Sequence, residues 1–308
     1  GAHVAINSRN ASEAEAAALG GVGDASYAQG RVRTGYEMFT RCVMVARVQM
    51  FLRVEVAYLT MVGWCSLYLM DVAGSLQACR RTIDLAVRIG HRRGELMARA
   101  QLGMVDGWVR GNWREARIEV DKAMEISRAL GSLRFQANAA YMRALLAIRA
   151  GDDPVARGHL HHALQLAGDS GMPFIGAQIY GSLARIEPDR EQRRRYLAQG
   201  EQSLEKGAVS HNFFVFCECA IHASLKAGDW DEADRYCAKL GSYTAQEPFA
   251  WADFIMARGR ALSREGRGET GEALVVTLET LHRQAAASQG NLYLPELAAA
   301  LERLRRPR

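Results

Sequence analysis

The sequence predicts an all-α protein: a right-handed αα superhelix of about seven helical hairpins, finished by a C-terminal capping helix. Three observations predict it. Short Gly/Asp turns recur about every 40 residues, each followed five positions on by Ala or another small residue. Gly111 to Ala116, Gly151 to Ala156 and Gly228 to Ala233 are three copies, and Gly30 falls two periods before Gly111. A second glycine series, Gly90, Gly131, Gly171, Gly207, Gly241 and Gly290, interleaves with the first and is expected to close the second helix of each hairpin. Between these marks apolar residues fall at three- and four-residue spacing: Leu102, Val105, Trp108 and Val109 precede Gly111, and Ile118, Val120, Ala123, Met124 and Ile126 follow it. A fixed period of this length marks stacked αα-hairpins.

Taken in order, the hairpins turn at Gly30, Met70-Asp71, Gly111, Gly151, Pro188-Asp189, Gly228 and Gly266-Arg267-Gly268. A last helix, Leu294 to Leu304, would cover the apolar end that a solenoid otherwise leaves open. Residues 1–12 are expected to be an irregular lead, with Gly1-Ala2-His3 shaped like a cloning remnant. Residues 13–290 form the array, and 291–308 form the cap and a basic tail. Helix starts are marked by Asn112 with Glu115, Asp189 with Gln192, and Asp229 with Glu232, spaced for reciprocal capping. Pro154 stands where a missing N–H costs nothing, and all six prolines fall at boundaries.

The residue pattern resembles the tetratricopeptide repeat. In that family a small residue sits about seven positions before the turn, as Gly23, Gly63 and Gly259 do here, and Ala sits five after it. Ser75 and Gly35 serve as small substitutes for that Ala. The period is longer than the family's, by about one helical turn. Val209 to Phe216, Gly228 to Ala233, Tyr243 to Phe254, Glu55 to Trp64 and Gly90 to Arg93 are similar to one context within it. That context is the C-terminal repeat region of bacterial multidomain proteins carrying a class III adenylate/guanylate cyclase domain and an AAA-type ATPase module. The resemblance implies a cytoplasmic regulatory tail, with none of the catalytic chemistry on this stretch.

Composition narrows the function. Hydrophobic residues make up 49% and charged residues 24%, as in ordinary folded proteins. The net charge of +5 is largely the terminal Arg303, Arg305, Arg306 and Arg308. Arg190, Arg193, Arg194 and Arg195 are interleaved with Glu187, Asp189 and Glu191, so no basic stripe for nucleic acid emerges. No apolar run reaches the length of a membrane span. Neither nucleic acid nor a membrane is expected as a partner. The six cysteines fall within apolar helical patterns, as reduced core residues do.

Catalytic chemistry is missing from the motifs. With four lysines and no Gly-Lys-Ser/Thr loop, the chain has no phosphate cradle. His159 and His162 share a helix face without a third ligand, so no metal and no cofactor are expected. Cys217 and His222 stand about 140° apart on a helix, too far around for a nucleophile–base pair. Purified chain is therefore expected to turn over neither ATP nor GTP. The methionines, among them Met38, Met44, Met50, Met61 and Met70, read as core fillers. Trp113 and Trp230 occupy equivalent positions and read as packing between hairpins, whereas Trp64, Trp108 and Tyr141 lie on leading helices.

The favoured function is protein or peptide binding in the concave groove, with the parent protein's own catalytic modules as one partner. A small-molecule effector sensor is the first rival, favoured by aromatic and amide groups converging on a closed pocket. The repeat tail of a large transcription regulator is the second. Counting back from each turn, the groove-facing residues are Gln101 and Trp108, then Asn138, Tyr141 and Arg149, then Gln178, Ser182 and Arg185, then Glu218 and His222. Tyr141 and Arg185 are the expected exposed anchors.

Overall fold

The computed structural model describes residues 2–306, with side chains over 11–168 and 171–306. Helices α1 (Ala2–Ala28) and α2 (Val32–Val48) form the first hairpin, and α3 (Leu52–Tyr68) and α4 (Val72–Ile89) the second. In the third, α5 (Arg92–Leu102) continues through a π-helical run, Gly103–Val109, before α6 (Trp113–Ala129). The fourth pairs α7 (Leu133–Arg149) with the first part of α8 (Asp153–Ile186). At Gly168 the backbone leaves the helix (φ 48°, ψ −163°), and the remainder of α8 pairs with α9 (Arg190–Glu205) as the fifth. Helices α10 (Ser210–Lys226) and α11 (Trp230–Thr244) make the sixth, and α12 (Ala250–Gly266) and α13 (Glu272–Ala287) the seventh. The cap is α14 (Leu294–Arg305).

All seven turns fall where the period places them. Gly30, Gly111, Gly151, Gly228 and Gly268 take left-handed φ values between 70° and 93° there, a conformation that costs other residues about 1–2 kcal/mol. Met70 holds the same place in the second hairpin at φ 64°. The turn-plus-five alanines, Ala116, Ala156 and Ala233, are buried between paired helices. A Cβ on Gly23 would stand 2.6 Å from the Phe39 ring, and one on Gly259 would stand 2.5 Å from the Cys237 sulfur. Close helix approach thus requires small residues at both positions.

Several local expectations are corrected. Helix α1 starts at Ala2, so a helical stretch replaces the irregular lead. Gly171 and Gly241 lie inside α8 and α11, and the left-handed breaks fall at Gly168 and, before α14, at Gln289 in place of Gly290. Of the three proposed caps only Asp189 accepts from its partner's backbone, Gln192 N, at 2.7 Å. Asn112 turns away to donate to Asp106 at 2.9 Å, and Asp229 makes no side-chain cap. Asp71, His91 and Asp152 cap instead, each accepting from the amide three residues on.

The array also closes on itself. Tyr68 of α3 meets Phe214 of α10 and Trp251 of α12 edge-on, with ring centres 5.0 and 5.5 Å away. The Glu247 carboxylate accepts from the first amides of α2, Arg33 N at 2.6 Å and Thr34 N at 3.1 Å, and from the Thr34 hydroxyl at 2.5 Å. Ser210 donates to the Tyr27 carbonyl. On the other side, the segment before α14 reaches back to the third hairpin. There Leu292 N donates to the Val109 carbonyl at 3.1 Å and Asn291 Nδ2 to the Arg110 carbonyl at 2.9 Å.

Candidate functional site

Closure turns the concave groove into a chamber of about 380 Å³. Every hairpin contributes to its wall. Tyr27 comes from the first hairpin, Met61, Trp64, Tyr68 and Met70 from the second, and Met97, Met104 and Trp108 from the third. Asn138, Tyr141 and Met142 come from the fourth, Phe174 and Gln178 from the fifth, and His211, Val215 and Glu218 from the sixth. Trp251 of the seventh and Tyr293 complete it. The wall is aromatic and thioether, with two amides. Met61 and Met70, expected as core fillers, line this space. The left-handed Met70 keeps a side chain where five of the other turns have glycine.

The π-helical run explains one misplaced residue. Its extra residue moves the small position from seven to eight before Gly111, where Gly103 packs on Val120. Everything N-terminal to it is rotated by one residue, about 100°. Gln101 therefore lies fully buried between the second and third hairpins, with Nε2 3.4 Å from the Ser75 hydroxyl, and does not face the chamber. In the next three hairpins no such insertion occurs, and the residue ten before the turn lines the chamber each time: Tyr141, Gln178 and Glu218.

Below the aromatic wall runs a buried charge ladder. Arg185 Nη1 donates to Glu218 Oε1 at 2.9 Å, and its guanidinium lies 5.1 Å from the Trp108 ring centre. Arg258, 1% exposed, donates through Nε to Glu296 at 3.0 Å and sits over Tyr293 at 5.2 Å. Burial works against the Arg185 charge, and Glu218, together with Cys219 and Glu296, more than offsets it. The Tyr141 and Ser182 hydroxyls lie 3.2 Å apart. His222, partly buried, is held neutral by burial and then by Arg185 and Arg258. Arg149 stands at the rim, donating to the Asn291 carbonyl at 3.3 Å.

Tyr141 and Arg185 are thus not exposed anchors. Both are buried, Tyr141 as part of the chamber wall and Arg185 as the partner of Glu218 behind Trp108. Of the ten predicted residues, Trp108, Asn138, Tyr141, Gln178 and Glu218 line the chamber; Ser182 and Arg185 stand directly behind it. His211 also lines the chamber. Burial, and then Arg134, push its pKa down to about 4, against a 2.7 Å hydrogen bond from Nε2 to the Phe174 carbonyl. The six cysteines are buried and free, and burial raises their thiols, Cys217 and Cys219 to about 12. Such thiols are poor nucleophiles. Among the described residues no three His, Cys, Asp or Glu side chains stand where they would hold a metal ion. None of their helices is long and apolar enough to cross a membrane.

Fold and chamber together define a class: a tetratricopeptide-like superhelix wound around a ligand-sized internal space. Within that class the chain is similar to the Rap conjugation gene regulator of the plasmid pLS20, whose structure was solved in complex with the Phr* peptide. The two share a TM-score of 0.64 and 14% identity, over 92% of this chain and 75% of that one, so the likeness is one of fold. No family model matches the chain, and no curated protein matches it in sequence.

Proposed function

We propose that this chain is a regulatory binding module that holds an effector inside its central chamber and signals occupancy through the closure of the superhelix. The observation that carries this reading is the recessed, partly open chamber to which all seven hairpins contribute. A ligand touching every repeat biases the relative placement of all of them, which is how a binding event becomes a change of shape. A recessed space lined by aromatic rings and converging amides favours a small effector over an extended protein segment. A short peptide is the second reading, supported by the peptide-bound state of the Rap regulator of similar fold. The sequence resemblance supports a place beside cyclase and ATPase modules in a cytoplasmic signalling protein, with those modules reading the change of shape.

Thermal-shift screening of small metabolites and short peptides, against the parent chain and Met142→Trp, tests the reading. The larger side chain fills the chamber. A ligand that raises the melting temperature of the parent and leaves the variant unmoved is the expected result. Ligands that stabilise both equally would place binding elsewhere.

A further inference from the structure

The mouth of the chamber is chemically unlike its interior. Arg93, near the start of α5, and Arg134, near the start of α7, both line it. Neither forms an ion pair among the described residues. Each guanidinium lies instead over an aromatic ring, Arg93 5.5 Å from the centre of Phe135 and Arg134 3.8 Å from that of Phe174. Neighbouring arginines behave otherwise: Arg92 pairs with Glu95, and Arg99 with Glu95 and Glu119. Burial and the Arg93 charge both weigh on the Arg134 cation, and among the described residues the only carboxylate lining the mouth is Asp24. Asp24 is itself pushed up by burial, with Arg93 opposing. Two cations thus face one carboxylate across an opening.

Inside, no charge is left over. Glu218 is paired with Arg185 at 2.9 Å, and His211 is neutral at ordinary pH. The rest of the wall is mainly methionine, aromatic and aliphatic side chains, with the Asn138 and Gln178 amides. A guanidinium stacked on a ring keeps its edge N–H groups free and fixed in plane, the geometry that grips a carboxylate or phosphate with two hydrogen bonds. The chamber volume of about 380 Å³ lies at the small end of the roughly 300–1,000 Å³ typical of small-molecule sites.

Resting on the effector reading above, we infer that the chamber takes an apolar body bearing one terminal anionic group, its carboxylate seated between Arg93 and Arg134. A free amphiphilic acid and the C-terminus of a short apolar peptide share this chemistry.

The test uses the whole chain and its own fluorescence, because Trp64, Trp108 and Trp251 line the chamber. Decanoate, decanol and an apolar tripeptide with free or amidated C-terminus are titrated at constant ionic strength. Decanoate is expected to bind at least tenfold tighter than decanol. Arg93→Gln and Arg134→Gln should each weaken decanoate fivefold or more and leave decanol unchanged. Both residues are largely exposed, Arg134 with part of its guanidinium covered, so these variants are expected to fold. Binding of the free tripeptide but not its amide, with decanoate inert, would support the same chemistry and identify a peptide end as its source. Equal affinity for decanoate and decanol, or decanoate binding indifferent to both substitutions, overturns the anion and leaves the chamber standing. No response to any of the four probes overturns the effector reading and the anion with it.

Discussion

Neighbouring helices meet through alanine and glycine, whereas the two ends of the array meet through aromatic rings and helix caps. Ala116, Ala156 and Ala233 let neighbouring helices sit close, and the contacts join residues near in sequence. The closing seam joins Tyr68 to Phe214 and Trp251, Glu247 to the start of α2, and Leu292 to Val109. The first kind of seam is continuous core, and its failure unfolds a repeat. The second shares that buried core through Tyr68 and Phe214 and adds directional contacts such as Glu247 on α2; its loss is expected to uncover the chamber before any hairpin comes apart. On this division, stability and access are held by different residues.

The largest expected effect belongs to the continuous seam. Arg185→Ala removes one partner of a buried pair between α8 and α10 and strands Glu218 beneath Trp108. Breaking such a pair costs about 3–5 kcal/mol, which urea unfolding would register; a loss under 1 kcal/mol would show that the ladder contributes little. Acid offers a probe of the closing seam. His211 packs against Tyr27 of α1, ring centres 6.2 Å apart, and its folded pKa of about 4 lies below the usual value of 6.5. The unfolded chain binds that proton more readily. Its contribution is therefore complete above pH 6.5 and is lost as pH falls through 4. Between pH 7 and 4.5 the loss should be about 2 kcal/mol, and His211→Gln should be less sensitive over that range. Overpacking gives a similar or smaller effect: Ala233→Leu should cost about 1–3 kcal/mol, and an unchanged urea midpoint would mean that the helices there do not meet closely.

The same division explains what the sequence made legible. Period and small residues located seven turns and the cap, because they encode contacts between neighbours. The face count worked for Tyr141, Gln178 and Glu218 and failed for Gln101, where a π-helical insertion leaves no signal beyond two glycines, Gly103 and Gly107. Closure was illegible, since Glu247 and Thr34 lie 213 residues apart and nothing local in either says that they meet. Without closure, Tyr141 and Arg185 read as exposed anchors and Met61 and Met70 as filler. With it, Tyr141 and the methionines are chamber wall and Arg185 is its support. Arg93 and Arg134 carried no distinguishing pattern, because a cation left over aromatic rings looks in sequence like any surface arginine.

The smallest effect is the sharpest test of the comparison. Glu247→Ala removes three hydrogen bonds at the N-terminus of α2, where no side chain of α2's own caps the helix. Losing a cap costs about 1 kcal/mol, and the carboxylate also complements the helix dipole there. Because this contact belongs to closure alone, the loss should be local. Hydrogen exchange at the Arg33 and Thr34 amides should accelerate about fivefold, the exchange equivalent of 1 kcal/mol. Amides around Ala233, inside the continuous seam, should keep their protection. Tryptophan fluorescence should report the uncovered wall through Trp251, which packs against Tyr68 at the closing seam. If exchange around Ala233 rises as much as at Arg33, the two seams fail together, and stability and access are one property of this molecule.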